Sequence, residues 1–299
     1  MKSDNSSSLN IAGKIKDYLK LIKLSLSIMV VFSSVLAYLL VPGIEESYEN
    51  PLKMTILLAI GGLLVTGSAN AINQAVEKDT DAMMKRTASR PVAAGRMSVT
   101  EAWAFAIIAG IVGVFILGYF FNWTSAGLAA FSLFLYAFVY TPLKKVNAIA
   151  VLVGAFPGAM PCLIGWAAGD ESLGIGGWVL FGIQFLWQFP HFWAICWIAY
   201  KDYSTAGFKL LPSEKGPTKF TALQTVIYSL LLLPIGVVPY FIGMSGIIAL
   251  IIIAMANLFM VWQCVRLYRA MDVKAARRVM FSSYIYLPVV LFALLGDKL

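Results

Sequence analysis

The 299-residue chain is 60% hydrophobic by residue type and only 13% charged, about half the charged share of an ordinary soluble domain. A mean hydropathy of +0.81 excludes a soluble enzyme or a disordered chain, and three scattered cysteines, Cys162, Cys196 and Cys264, exclude a disulfide scaffold. The net charge of +8 lies in short loops between apolar runs, which gives no patch for nucleic acid and leaves lipid as the solvent for the outer surface.

Residues 1–23 carry Asp4 and Asp17 and no arginine, which argues against a secretory signal or a mitochondrial presequence. Ile11, Ile15, Leu19 and Ile22 recur at helical spacing opposite Lys14, Lys16, Lys20 and Lys23. That pattern predicts either an amphipathic lead-in helix on an anionic leaflet or a plain solvated basic segment. Nine apolar runs follow, about 24–41, 53–75, 102–121, 124–140, 147–167, 175–199, 221–242, 246–266 and 279–296. The expectation is an all-α polytopic membrane protein, with the lead-in at 1–23 and one nine-helix domain at 24–299. The nine helices are expected around a central cavity open to the cytoplasmic side.

Of the 23 basic residues, all but Lys53 and Lys298 fall in the amino-terminal segment and alternate loops; the opposite loops carry Glu45, Glu46, Glu49, Asp170, Glu171 and Asp297. By loop-charge bias the amino terminus and the long polar loops face the cytoplasm, as in a bacterial inner-membrane protein.

Where the second run ends, Asn73, Glu77 and Asp81 are spaced i, i+4, i+8. On a continuing helix they drift by about 40° per step and share one face. Carboxylates at a span's end are expected to meet a wet cavity or a cation. An oxygen-only donor set favours magnesium or another hard cation, completed by phosphate oxygens of a substrate. Lys85, Arg86 and Arg90 follow as donors for the remaining phosphate charge. The alternative is a solvated helix end whose charges pair with one another. The sixth run ends similarly, at Asp202 between Lys201 and Lys209, and a third loop adds Lys144 and Lys145. Spans two and six thus hint at a duplicated unit. Deeper, His191, the one histidine, follows Pro190 inside the sixth run, as a functional group or a satisfied core histidine. The small residues and prolines from Gly154 to Trp166 suit close packing or a broken helix.

The row Asn73-x-x-x-Glu77-x-x-x-Asp81 followed by Lys85-Arg86-x-x-x-Arg90-Pro91, with Tyr140-x-x-x-Lys144, the stretch Trp187-Gln188-x-Pro190-His191 and Asp202-Tyr203, resembles the UbiA-type intramembrane prenyltransferases, and more narrowly their protohaem-farnesylating branch. Two departures stand out. Glu77 occupies a usual aspartate position, and Ile198 stands four before Asp202 where a second aspartate is common; the single aspartate fits the haem branch.

The resemblance implies transfer of a farnesyl group from farnesyl diphosphate to a vinyl group of protohaem IX (haem b), the haem being substrate and not cofactor. It implies Mg2+ held by Asn73, Glu77, Asp81 and Asp202, diphosphate contacts from Lys85, Arg86, Arg90, Tyr140 and Lys144, and haem contact at His191. An association with downstream haem-modifying or oxidase-assembly proteins is an expectation of the family alone. The competing readings are a prenyltransferase for a quinone precursor such as 4-hydroxybenzoate and a cation-coupled transporter.

Overall fold

The computed structural model describes residues 11–46 and 50–299; residues 1–10, with Asp4, and Glu49 lie outside them. Among the described residues every apolar run is helical. The lead-in contains α1 (Ile11–Leu21), and the first run is α2 (Leu24–Leu39), bent from it by 51°. The bend sits at Lys23, whose φ of 49° is left-handed. Then come α3 (Pro51–Val76), a short α4 (Lys78–Met83) and α5 (Val99–Phe120). The fourth span comprises α6 (Trp123–Phe134), a π-helical segment (Leu135–Tyr140) and α7 (Thr141–Leu143). The remaining elements are α8 (Ala150–Gly169), α9 (Ile175–Ile198), α10 (Tyr200–Thr205), α11 (Lys219–Phe241), α12 (Ile247–Ala270) and α13 (Val273–Gly296). Among the described residues eight helices are long and apolar enough to span, or nine if the bent α1–α2 pair is counted as one span. The last helix starts six residues before its apolar run, because α13 carries Arg277 and Arg278 out of the hydrocarbon in unbroken helix.

Short polar signals set the ends. Asn122 caps α6 by accepting from Ser125 N at 2.8 Å and donates to the Ala167 carbonyl at 2.6 Å, so two residues suffice to turn α5 into α6. Asn50 and Ser98 cap α3 and α5 in the same way.

Two helices form the interior. α8 packs between α2, α6 and α9, and α9 between α8, α11 and α13. The small residues of α8 serve packing in an unbroken helix: a Cβ at Gly165 would collide with the Ser34 carbonyl of α2, and one at Gly158 with Gln188 of α9. Pro161 removes the donor for the Pro157 carbonyl, and Ser132 Oγ supplies another at 3.3 Å.

The suspected duplication has a backbone counterpart. α3 breaks into α4 at Glu77 (φ −95°, ψ 14°), and α9 breaks into α10 at Ala199 (φ −94°, ψ 14°), each short helix having six residues. The described residues hold a cavity of about 560 Å³ at the basic end, between Val146–Ala148 and the 200–214 segment, which is a loop-lined pocket and not the central cavity expected from the sequence. Asn73, Glu77 and Asp81 do not line it.

Candidate active site

The break at Glu77 leaves the acid row in register. Glu77 N donates to the Asn73 carbonyl at 2.9 Å and Asp81 N to the Glu77 carbonyl at 2.7 Å, so the i→i−4 pattern continues from α3 into α4. All three side chains are buried. After Met83 the chain leaves the helix and folds back, held by Thr87 Oγ1 donating to the Asp81 carbonyl at 2.8 Å. This return places Arg90 Nη1 2.7 Å from both Asp81 oxygens. The basic run therefore does not extend along the helix as the spacing suggests: Arg90 returns to the acid row and Arg86 crosses to the Tyr203 hydroxyl at 3.1 Å. Lys85 is exposed and makes no ion pair among the described residues.

The π-helical segment delivers the next cation. Thr141 Oγ1 bonds the Tyr136 carbonyl five residues back at 2.9 Å, the wider spacing of a π turn. Buried Lys144, just beyond, forms an ion pair with Glu77. Its Nζ lies 4.9 Å from the Tyr140 ring centre and 5.4 Å from that of Phe208. Burial lowers the Lys144 ammonium below its usual value, with Glu77 pulling it back up. Lys209 N donates to the Lys144 carbonyl at 2.8 Å, so the loop after α7 is tied to the segment after α10.

Two residues join the cluster that the expected site residues do not include. Lys23, turned inward by its left-handed backbone, donates to Asn73 Oδ1 at 3.0 Å. Tyr203 stands three residues into α10, as Asp81 stands three into α4, and bonds Arg86; burial pushes its hydroxyl up to about 12. Asp202 beside it is half-buried, and no hydrogen bond or ion pair joins its side chain to Glu77 or Asp81. Among the described residues no three His, Cys, Asp or Glu side chains are grouped to hold a metal. The carboxylates of the row are instead neutralised by Arg90 and Lys144.

His191 lies on another face of α9, against α13. Its Nδ1 is 2.7 Å from Ser283 Oγ, and its ring stacks on Trp187 with centres 4.8 Å apart at 17°. It is partly buried, and among the described residues it makes no hydrogen bond or ring contact with the acid row.

A model of the UbiA prenyltransferase family matches residues 29–285. The chain belongs to this family. The protoheme IX farnesyltransferase of Cytophaga hutchinsonii is 43% identical over 96% of this chain and 99% of its own. That of Flavobacterium johnsoniae is 41% identical over 97% of each. Among solved structures, a digeranylgeranylglyceryl phosphate synthase superposes with a TM-score of 0.78 at 20% identity, covering 95% of this chain and 98% of that one. A UbiA homolog from Archaeoglobus fulgidus bound to GPP and Mg2+ gives 0.71 at 15% identity, covering 94% and 99%. At these identities the structures speak for the shared fold.

For this UbiA-family prenyltransferase the donor chemistry fits a hard divalent cation and an anion together. Asn73, Glu77 and Asp81 set three oxygen ligands along one line. Asn73 Nδ2 is buried without a partner among the described residues, a spare donor for an anionic oxygen. Lys23 has a signal in the sequence, a lysine ending the lead-in, but both readings of that segment, a leaflet-bound helix and a solvated basic stretch, turn it outward. Lys14 departs from that assignment too, since it pairs with Glu101 of α5 at 2.7 Å, while Ile11, Ile15 and Leu19 of α1 are exposed.

Proposed function

We propose that this prenyltransferase moves the farnesyl group of farnesyl diphosphate to a vinyl group of protohaem IX, giving haem O and diphosphate. The observation that carries the reading is likeness at 41–43% identity, over nearly the whole chain, to proteins named protoheme IX farnesyltransferase. The buried acid row, with its matching cations, supplies the chemistry such a transfer needs.

Magnesium held by Asn73, Glu77, Asp81 and Asp202 would neutralise diphosphate charge and ease its departure. Arg90 and Lys144 stand against the same carboxylates, with Arg86 and Lys23 beside them, and serve as charged donors to the leaving diphosphate. The allylic C–O bond breaks with its electron pair going to the diphosphate. The vinyl group of the haem then attacks the farnesyl cation, water adds to the resulting cation, and a proton is released, leaving a hydroxyethylfarnesyl substituent. The rings of Tyr140 and Phe208 already face one cation, Lys144, and such faces stabilise positive charge by about 0.5–2 kcal/mol each. A bundle interior keeps the carbocation from bulk water until the acceptor has reacted.

The reading places the acid row, Lys85, Arg86, Arg90 and Lys144 at the cytoplasmic face of a bacterial inner membrane, because the basic loops lie at that end. His191 is the haem-contacting residue. The test is an assay of purified protein in nanodiscs with protohaem, farnesyl diphosphate and magnesium, the extracted haem being weighed by mass spectrometry beside a 4-hydroxybenzoate control. Haem heavier by farnesyl plus water, lost on chelation, is the expected result. A prenylated benzoate with no haem product overturns the acceptor assignment.

A further inference from the structure

His191 is neither solvated like an ordinary polar residue nor enclosed like a core histidine. On α9 it stacks flat on Trp187, one turn earlier, with the Tyr284 ring set edge-on at 5.2 Å and that of Phe192 at 5.8 Å. Trp187 Nε1 donates to the Ser283 carbonyl of α13 at 2.9 Å. The ring is thus gripped between two helices. It sits seven residues before the end of α9, about 10 Å along the helix axis, against Tyr284 of α13, which is exposed along with Phe281 and Ile285 of the same helix.

The hydrogen bonds at Ser283 fix where the imidazole proton resides. Ser283 Oγ is 2.6 Å from the Met280 carbonyl oxygen. Two oxygens that close need a proton between them, and a carbonyl has none to give, so the one hydroxyl proton of Ser283 is spent there. Toward His191 Nδ1, at 2.7 Å, Ser283 can then only accept. Nδ1 must carry the hydrogen, and in a neutral imidazole the lone pair is left on Nε2. Nε2 has no hydrogen-bond partner among the described residues and is not among the enclosed polar atoms. An oriented, neutral imidazole with its second nitrogen bare and its first held by a hydrogen bond is the arrangement proteins use to present histidine to a metal.

We infer that His191 Nε2 is an axial donor to the iron of the haem acceptor, and that Ser283, through its bond to the Met280 carbonyl, is the positioning residue that sets the tautomer. This rests on the reading of haem as the acceptor. Trp187 contributes by restricting rotation of the ring. No bond to iron persists through the catalytic cycle, since the haem leaves as product.

The test is titration of the full-length protein in detergent with protohaem, without prenyl diphosphate, following the Soret band. The wild type is expected to give the spectrum of an imidazole-ligated haem, and His191→Ala to lose it. Ser283→Ala keeps the histidine but frees its tautomer and ring, and is expected to weaken haem affinity about 10-fold or more. Ser283→Thr, which retains the hydroxyl, is expected to restore it. Should Ser283→Ala fail to fold, Ser283→Thr against Ser283→Cys makes the same comparison, the thiol being the poorer acceptor. If His191→Ala leaves the spectrum unchanged, ligation by His191 is wrong. If His191→Ala abolishes the signal while the Ser283 variants titrate like wild type, ligation stands and the positioning role falls. Product formation in the mass-spectrometric assay reports separately on whether haem is the acceptor.

Discussion

Arg90→Ala isolates the most consequential contact in the acid row. Asp81 is 1% exposed and receives both of its 2.7 Å contacts from Arg90 Nη1, itself 17% exposed. Removing one partner of such a pair leaves an uncompensated buried charge, which costs about 3–5 kcal/mol in the absence of relief. The contact between Lys14 and Glu101 has the same 2.7 Å separation, but its side chains are 41% and 28% exposed, and a surface pair of this kind contributes about 0–1 kcal/mol. Equal distances therefore predict unequal effects. In detergent without divalent cation, Arg90→Ala is expected to lower thermal stability severalfold more than Lys14→Ala, read as the monodisperse fraction surviving a temperature series. If Asp81 is a magnesium ligand, millimolar magnesium restores more stability to Arg90→Ala than to the wild type, because the ion replaces the missing cation. Equal losses in the two variants would refute the burial argument. An Arg90→Ala protein indifferent to magnesium would refute the metal assignment of Asp81 alone.

Glu77→Gln is expected to lower kcat on the order of 10²-fold or more by removing one charged ligand and leaving buried Lys144 without its counter-ion; Glu77→Asp keeps the charge and should retain most of the activity lost in Glu77→Gln. Gly154→Ala would bring a methyl within 2.6 Å of the Tyr140 ring that faces Lys144. That overpacking should cost about 1–3 kcal/mol and reduce turnover, whereas Gly127→Ala, with open space around it, should leave melting temperature and rate unchanged. Lys23→Gln preserves a hydrogen-bonding group for Asn73 but removes a charge from the cluster. A raised KM for farnesyl diphosphate with normal haem binding is the expected outcome, and an unaltered KM would exclude Lys23 from diphosphate binding.

The spanning helices were legible because lipid forces every spanning segment to be apolar and to satisfy its own backbone, so hydropathy reports the path directly. The acid row was legible because four-residue spacing survives the break at Glu77, where the Asn73 and Glu77 carbonyls still receive the expected amide donors. The pairing of the row was not, because it depends on how the chain returns after Met83. Nothing in the run from Lys85 to Arg90 marks which arginine folds back onto Asp81 and which reaches Tyr203. Lys23 was hidden for a similar reason: its left-handed backbone lacks the glycine that normally announces such a bend. Ser283 was silent in an apolar span, where a serine ordinarily bonds its own helix. It does so here through Met280, and that bond is what commits its oxygen to accept from His191.

The ion pairs explain how one cluster can be both tolerable inside a bundle and ready for a polyanion. Glu77 and Asp81 set two carboxylates against Arg90 and Lys144, with Lys23 bonded to Asn73 beside them, so the charges of the cluster nearly cancel. Burying unpaired charges would be prohibitive, and burying them paired keeps the desolvation cost near balance. The same pairing means that no donor has to be brought in for the reaction. In the proposed reaction a divalent ion would compete for the carboxylates, and each carboxylate it took would free a lysine or arginine to bond the diphosphate. The π-helical turn before Lys144 and the return loop before Arg90 hold those cations by backbone and hydroxyl bonds that do not involve the carboxylates. The donors can therefore keep their places when their partners change, which is the preorganisation that electrostatic stabilisation of a leaving group requires.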